Sequence, residues 1–121
     1  MREIKFRAWD EELEMMMPPV DLSTGLQNYK WLGRADLPIM QFTGLKDKNG
    51  VEIYEKDLLG TYRTQGVIDV IGEIVFDIDY ATFIIQYTNG GWAYLWEHLN
   101  NNRNTGREII GNIYENKELL S

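Results

Sequence analysis

The sequence contains no cysteine, which excludes disulfides, thiolate metal sites and cysteine nucleophiles together and points to a reducing, cytoplasmic address. Serine and histidine are almost as scarce: Ser23, Ser121 and His98 are all there is. A Ser-His-Asp device would depend on Ser23 alone, so no such triad is expected, and His98 reads as a surface or partly packed residue. Long apolar runs are missing, because charged or polar residues interrupt every one before the roughly 18 to 20 residues of a membrane span. The opening Met1 to Asp10 carries Arg2, Glu3, Lys5, Arg7 and Asp10 in place of a signal-peptide core. Basic residues are in deficit, 12 against 19 acidic ones, and the formal charge of −7 repels a phosphate backbone. Local basic pairs exist at Lys46 with Lys48 and at Arg103 with Arg107, each beside acids such as Asp47 and Glu108.

Aromatic residues are plentiful, with four Trp, seven Tyr and four Phe. They supply the buried area that a disordered chain lacks, and 121 residues suffice for one domain, expected to span residues 1–121. Segment Glu3 to Trp9 alternates, with Ile4, Phe6 and Ala8 on one side and Lys5, Arg7 and Trp9 on the other, as a half-buried strand does. Acidic Asp10 to Glu14 reads as a hairpin turn into a second strand at Met15 to Met17, ended by Pro18 and Pro19, which cannot donate to a ladder. Asp21 to Asp36 reads as a long irregular loop, and residues 18–36 have no assigned role. Pro38 to Leu45 and Val51 to Tyr54 flank the turn Lys46 to Gly50, Leu58 to Tyr62 follows, and Thr82 to Tyr87 pairs with Gly72 to Tyr80. In that last strand Ile74, Phe76, Ile78 and Tyr80 are expected to pack, while Glu73, Asp77 and Asp79 face water. Asn89 to Gly91 is a turn, Trp92 to Leu99 a strand passing into a helical turn, and Arg107 to Tyr114 a final strand. Many short strands without a long helix predict a mainly β protein: a small SH3-like roll or barrel of antiparallel strands, with an N-terminal β-hairpin and a long irregular loop.

No constellation among these residues suggests chemistry. Asp77 and Asp79 with Glu73 or Glu97 have the makings of a cation site, but the solvated face of an amphipathic strand explains the same residues and is the reading adopted. Asp47, Asn49 and Gly50 lack the glycine and glutamate positions of a calcium loop, and Gly90 with Gly91 lacks the rest of a phosphate loop. Glu52, Glu55 and Asp57 beside Tyr54 read as a solvated corner. Catalytic, cofactor-binding and metal residues are therefore all expected to be none. Trp92, Tyr94 and Trp96 are the candidate interaction surface, for a protein partner or for single-stranded nucleic acid, with core packing as the alternative fate.

Three stretches, REIKFRAWD (Arg2 to Asp10), QFTGLKDKNGVEIYEKDLL (Gln41 to Leu59) and EIIGNIYENKELL (Glu108 to Leu120), resemble the YopX family of phage and prophage proteins. Gly44 and Gly50 suit turns, Gly111 suits a bend or close strand approach, and Asn112 and Asn116 suit turn or cap geometry. Lys56 departs from the pattern, standing where the family has glycine. The resemblance implies a β-rich, SH3-type roll of phage or prophage origin with no catalytic residues to carry over. The expectation is a non-enzymatic accessory protein that binds an unknown protein partner and acts as a homo-oligomer. The alternative is a nucleic-acid-associated protein of phage replication or regulation, disfavoured by net charge.

Overall fold

The computed structural model describes residues 3–22, 36–62, 64–101 and 106–120. Among them, nine strands form two antiparallel sheets. The first has the order β2-β1-β3-β4, built from β1 (Lys5–Asp10), β2 (Met15–Asp21), β3 (Ile39–Lys46) and β4 (Glu52–Tyr54). The second has the order β8-β7-β6-β5-β9, from β5 (Asp57–Tyr62), β6 (Ile68–Asp77), β7 (Thr82–Tyr87), β8 (Trp92–Tyr94) and β9 (Glu108–Asn112), and is curled into half a barrel. One short helix, α1 (Leu95–Asn100), continues directly from β8, and a 3-10 turn lies at Lys117–Leu120. The chain is mainly β, as expected, and its N-terminal hairpin is β1 with β2. Most of the segment read as a long loop, together with Ser23 and Arg103, lies outside the described residues.

Alternation explains the main core. Ile74 of β6 and Ile85 of β7 pair directly and pack with Leu59 and Leu95, while Ile53 of β4 joins them from the other sheet. β1 is different, because it buries apolar side chains on both faces. Ala8 packs with Val20 and Leu37, and Trp9 packs with Met40, Phe42 and Tyr54. The face that alternation assigned to water therefore lies in the seam between the sheets.

Two further expectations are corrected. Pro18 and Pro19 do not end β2: the strand runs on to Asp21, and its register against β1 jumps from Ala8↔Met17 to Phe6↔Val20. Both prolines fall in that bulge, on an edge strand paired only with β1 among the described residues, where a missing donor costs little. β6 stops at Asp77, short of Tyr80, because the Asp77 carboxylate accepts the N–H groups of Asp79 and Tyr80 and turns the chain. Ile78 and Tyr80, and Phe76 before them, are consequently exposed, so of the four expected to pack only Ile74 is buried.

Candidate functional site

The seam holds the most concentrated polar chemistry of the described residues. Arg7 Nη2 donates to Asp57 Oδ1 at 2.6 Å, and the Tyr54 N–H donates to Asp57 Oδ2 at 2.7 Å. The Arg7 guanidinium lies 4.6 Å from the centre of the Tyr54 ring. Lys5 Nζ donates to Glu52 at 2.6 Å and to Glu3 at 2.7 Å. These contacts hold its ammonium above the usual lysine value, Glu3 first and Glu52 second. Asp57 is 2 % exposed, and burial pushes its carboxyl up even though Arg7 opposes the shift. Burial, then the Glu52 charge, pushes the Tyr54 phenol up to about 12.

The solvated corner predicted at Glu52, Glu55 and Asp57 is thus a network that runs from half-buried Glu52 and Glu55 to fully buried Asp57. Glu55 completes it by accepting the Gln41 N–H at 2.8 Å. Nothing local in the sequence announces this, since the partners Lys5 and Arg7 come from β1. Internal partners hold the carboxylates and the lysine of the network, while Arg7 Nε is buried without one.

Other candidates are equally engaged. His98 is 2 % exposed, which corrects its reading as a surface or partly packed residue. Its Nε2 faces the Gly106 carbonyl at 3.0 Å and its Nδ1 faces the Tyr87 hydroxyl at 2.9 Å. A carbonyl can only accept, so Nε2 carries the proton and Nδ1 accepts from Tyr87. Glu73 lies 3.7 Å from Lys56 and does not converge with Asp77 and Asp79, and no group of three metal-binding side chains occurs among the described residues.

Turn carboxylates and amides account for much of the motif sequence. Asp47, buried, accepts the N–H groups of Asn49 and Val51 on one oxygen and that of Ile109 on the other, tying the β3–β4 turn to β9. Asn112 Oδ1 accepts the Tyr114 and Glu115 N–H groups. A Cβ on Gly111 would press on the Asn116 side chain, so the close approach expected there is real. Lys56 keeps a positive φ of 72° despite its side chain.

The aromatic residues singled out behave in the opposite way. Across the outer face of the second sheet, Gln86 pairs with Trp92 and Ile84 with Tyr94. Tyr80 returns from the turn after β6 to lie 5.1 Å from Trp92 and 6.1 Å from Tyr94. Trp92 and Tyr94 are 5.3 Å apart, edge to face, and Tyr94 stacks on Trp96 at 6.2 Å and 12°. Tyr80, Trp92 and Trp96 remain 57 %, 42 % and 53 % exposed. The structure brings all three predicted aromatics together and adds Tyr80, which was assigned to the core. Its signal was present in Asp77, a residue type that ends strands with an Asx turn.

Fold and surface together define a small two-sheet β protein with a paired charge network in its seam and an aromatic outer face. Residues 20–121 match the family described as YopX protein, and the chain belongs to the YopX family. It is also similar to the crystal structure of protein EF1440 from Enterococcus faecalis, at 28 % identity and a TM-score of 0.62 over 98 % of each chain. No curated protein matches it. No helix of the described residues is long and apolar enough to cross a membrane.

Proposed function

We propose that this protein is a non-enzymatic interaction module of phage or prophage origin, acting in the cytoplasm, and that it self-associates through the face formed by Tyr80, Trp92, Tyr94 and Trp96. The observation that carries the reading is the unbroken run of four rings, three of them substantially exposed. Tyr and Trp bury large, rigid area at low entropic cost and are enriched at the centres of interfaces. Two of the rings, Trp92 and Tyr94, sit on β8, an edge strand of three residues with no neighbour on its outer side among the described residues. A strand this short offers little main-chain pairing, so the rings themselves carry the contact. The other sheet's outer edge, β2, carries Pro18 and Pro19 and is blunted against such pairing. A non-enzymatic role is supported by His98, Asp57, Glu52 and Asp47, whose polar atoms are already held by protein partners.

Light scattering after size-exclusion chromatography tests this. The native chain is expected to form a defined multimer, and a folded Trp92→Ala/Trp96→Ala variant a monomer. A native chain that stays monomeric at high concentration, or a folded double variant that stays fully associated, would overturn the reading. Each copy carries −7, so association should tighten as salt screens the repulsion.

A further inference from the structure

A cleft of about 200 Å³ lies between the β3–β4 turn and α1, walled by Lys46, Lys48, Arg107, Trp96 and Asn100 over a floor of Leu45 and Leu99. We propose that it binds a nucleotide, with the phosphate on the three cations and the base against the Trp96 indole. The base would take the Trp96 ring that the self-association face also uses, so a nucleotide and a second copy compete for it.

The cations are available. Lys46 is exposed at the end of β3 and makes no ion pair among the described residues. Lys48 has only a long contact, 3.8 Å to Glu108, and its side chain is half exposed. Arg107 leans on the Leu99 carbonyl at 3.3 Å through Nη1, while its buried Nε has no partner. The one carboxylate in the wall, Asp47, has both oxygens occupied by backbone N–H groups. The cleft is therefore positive within a molecule of net charge −7.

Size and composition select the ligand. Pockets for drug-sized molecules run from roughly 300 to 1,000 Å³, so this cleft suits one phosphoryl group and its attached ring. Cations recognise the phosphate through charge-assisted hydrogen bonds, and an exposed indole beside them offers a stacking surface for any base. An acidic peptide would satisfy the lysines and leave Trp96 without a partner ring. The molecule's own negative field works against a long polyanion far more than against a single nucleotide.

The test is an amide-shift titration of the full chain with thymidine monophosphate, inorganic phosphate and a short oligothymidylate. Thymidine monophosphate should move the Trp96 indole and amides lining the cleft, and bind at least tenfold more weakly to Lys46→Gln/Lys48→Gln and at raised salt. Phosphate alone should bind more weakly and leave the indole unmoved. Trp92→Ala, which abolishes self-association and leaves the cleft lining intact, should bind at least as tightly as the native chain. Tighter binding of the oligothymidylate would identify a nucleotide within a strand, and equal or weaker binding a free one; both uphold the cleft. No response at millimolar nucleotide, shifts outside the cleft, or undiminished binding by the double lysine variant would overturn it.

Discussion

Aromatic rings gather in two regions of this molecule and are treated in opposite ways. In the seam, Trp9 stacks on Tyr114 at 5.7 Å and Phe42 tilts against Tyr54 at 5.5 Å, all beside charges that are paired. On the outer face, Tyr80, Trp92, Tyr94 and Trp96 touch one another and remain open to water. The seam is built from β1, β3, β4, β5 and the segment after β9, which are the stretches that carry the YopX resemblance. The outer face belongs to the β6 to α1 region, where none of those stretches falls. The family match over residues 20–121 spans the outer face as well as most of the seam, so the contrast is one of packing: rings with partners from both sheets are covered, and rings on one face are not.

The largest way to break that comparison is Asp57→Ala. It leaves the Arg7 charge and the Tyr54 N–H without their partner in the interior, and urea unfolding should show a loss of about 3–5 kcal/mol. A loss no greater than that of an outer-face substitution would mean the seam does not hold the fold. The pair itself need not add stability, because burial of Asp57 already opposes its ionised form.

Alkaline titration sharpens the same point. A phenol raised from 10 to about 12 keeps its proton in the folded state after the unfolded chain has released one. The stability linked to Tyr54 is therefore complete below pH 10 and is lost as the pH climbs through 12. Tyr54→Phe should flatten that alkaline decline, as followed by urea midpoints across the range. Smaller still, Lys56→Gly should stabilise the chain by roughly 1 kcal/mol, since only glycine takes a left-handed φ without cost. An unchanged midpoint would show that the contact with Glu73 offsets the strain. Least of all, Trp92→Ala should change the stability of the isolated chain by less than about 1.5 kcal/mol, the scale of one aromatic contact, while abolishing self-association.

Much of this was legible in the sequence. Thr82 to Tyr87 was read with the bounds it has, and Trp92 to Leu99 does pass from strand to helix. Those segments obey local rules, alternation and then 3.6-residue spacing. What failed depended on partners distant in sequence. Lys5 and Arg7 looked solvated because their carboxylates arrive from β4 and β5. His98 looked peripheral because its partners are a hydroxyl on β7 and a carbonyl at Gly106. The outer face was read from its three aromatics alone, and the cleft was missed because Lys46, Trp96 and Arg107 meet only in the folded chain.

The Trp9–Tyr114 stack has a consequence for synthesis on the ribosome. The N-terminal hairpin emerges early, yet one flank of its core has no cover until residue 114 has left the exit tunnel. Domains normally fold as units while the chain lengthens, and here the first strand must wait for the last. During that interval Trp9, Met16 and Met40 are available to chaperones, and a nascent chain stalled before Tyr114 should be captured by them while the released chain is not.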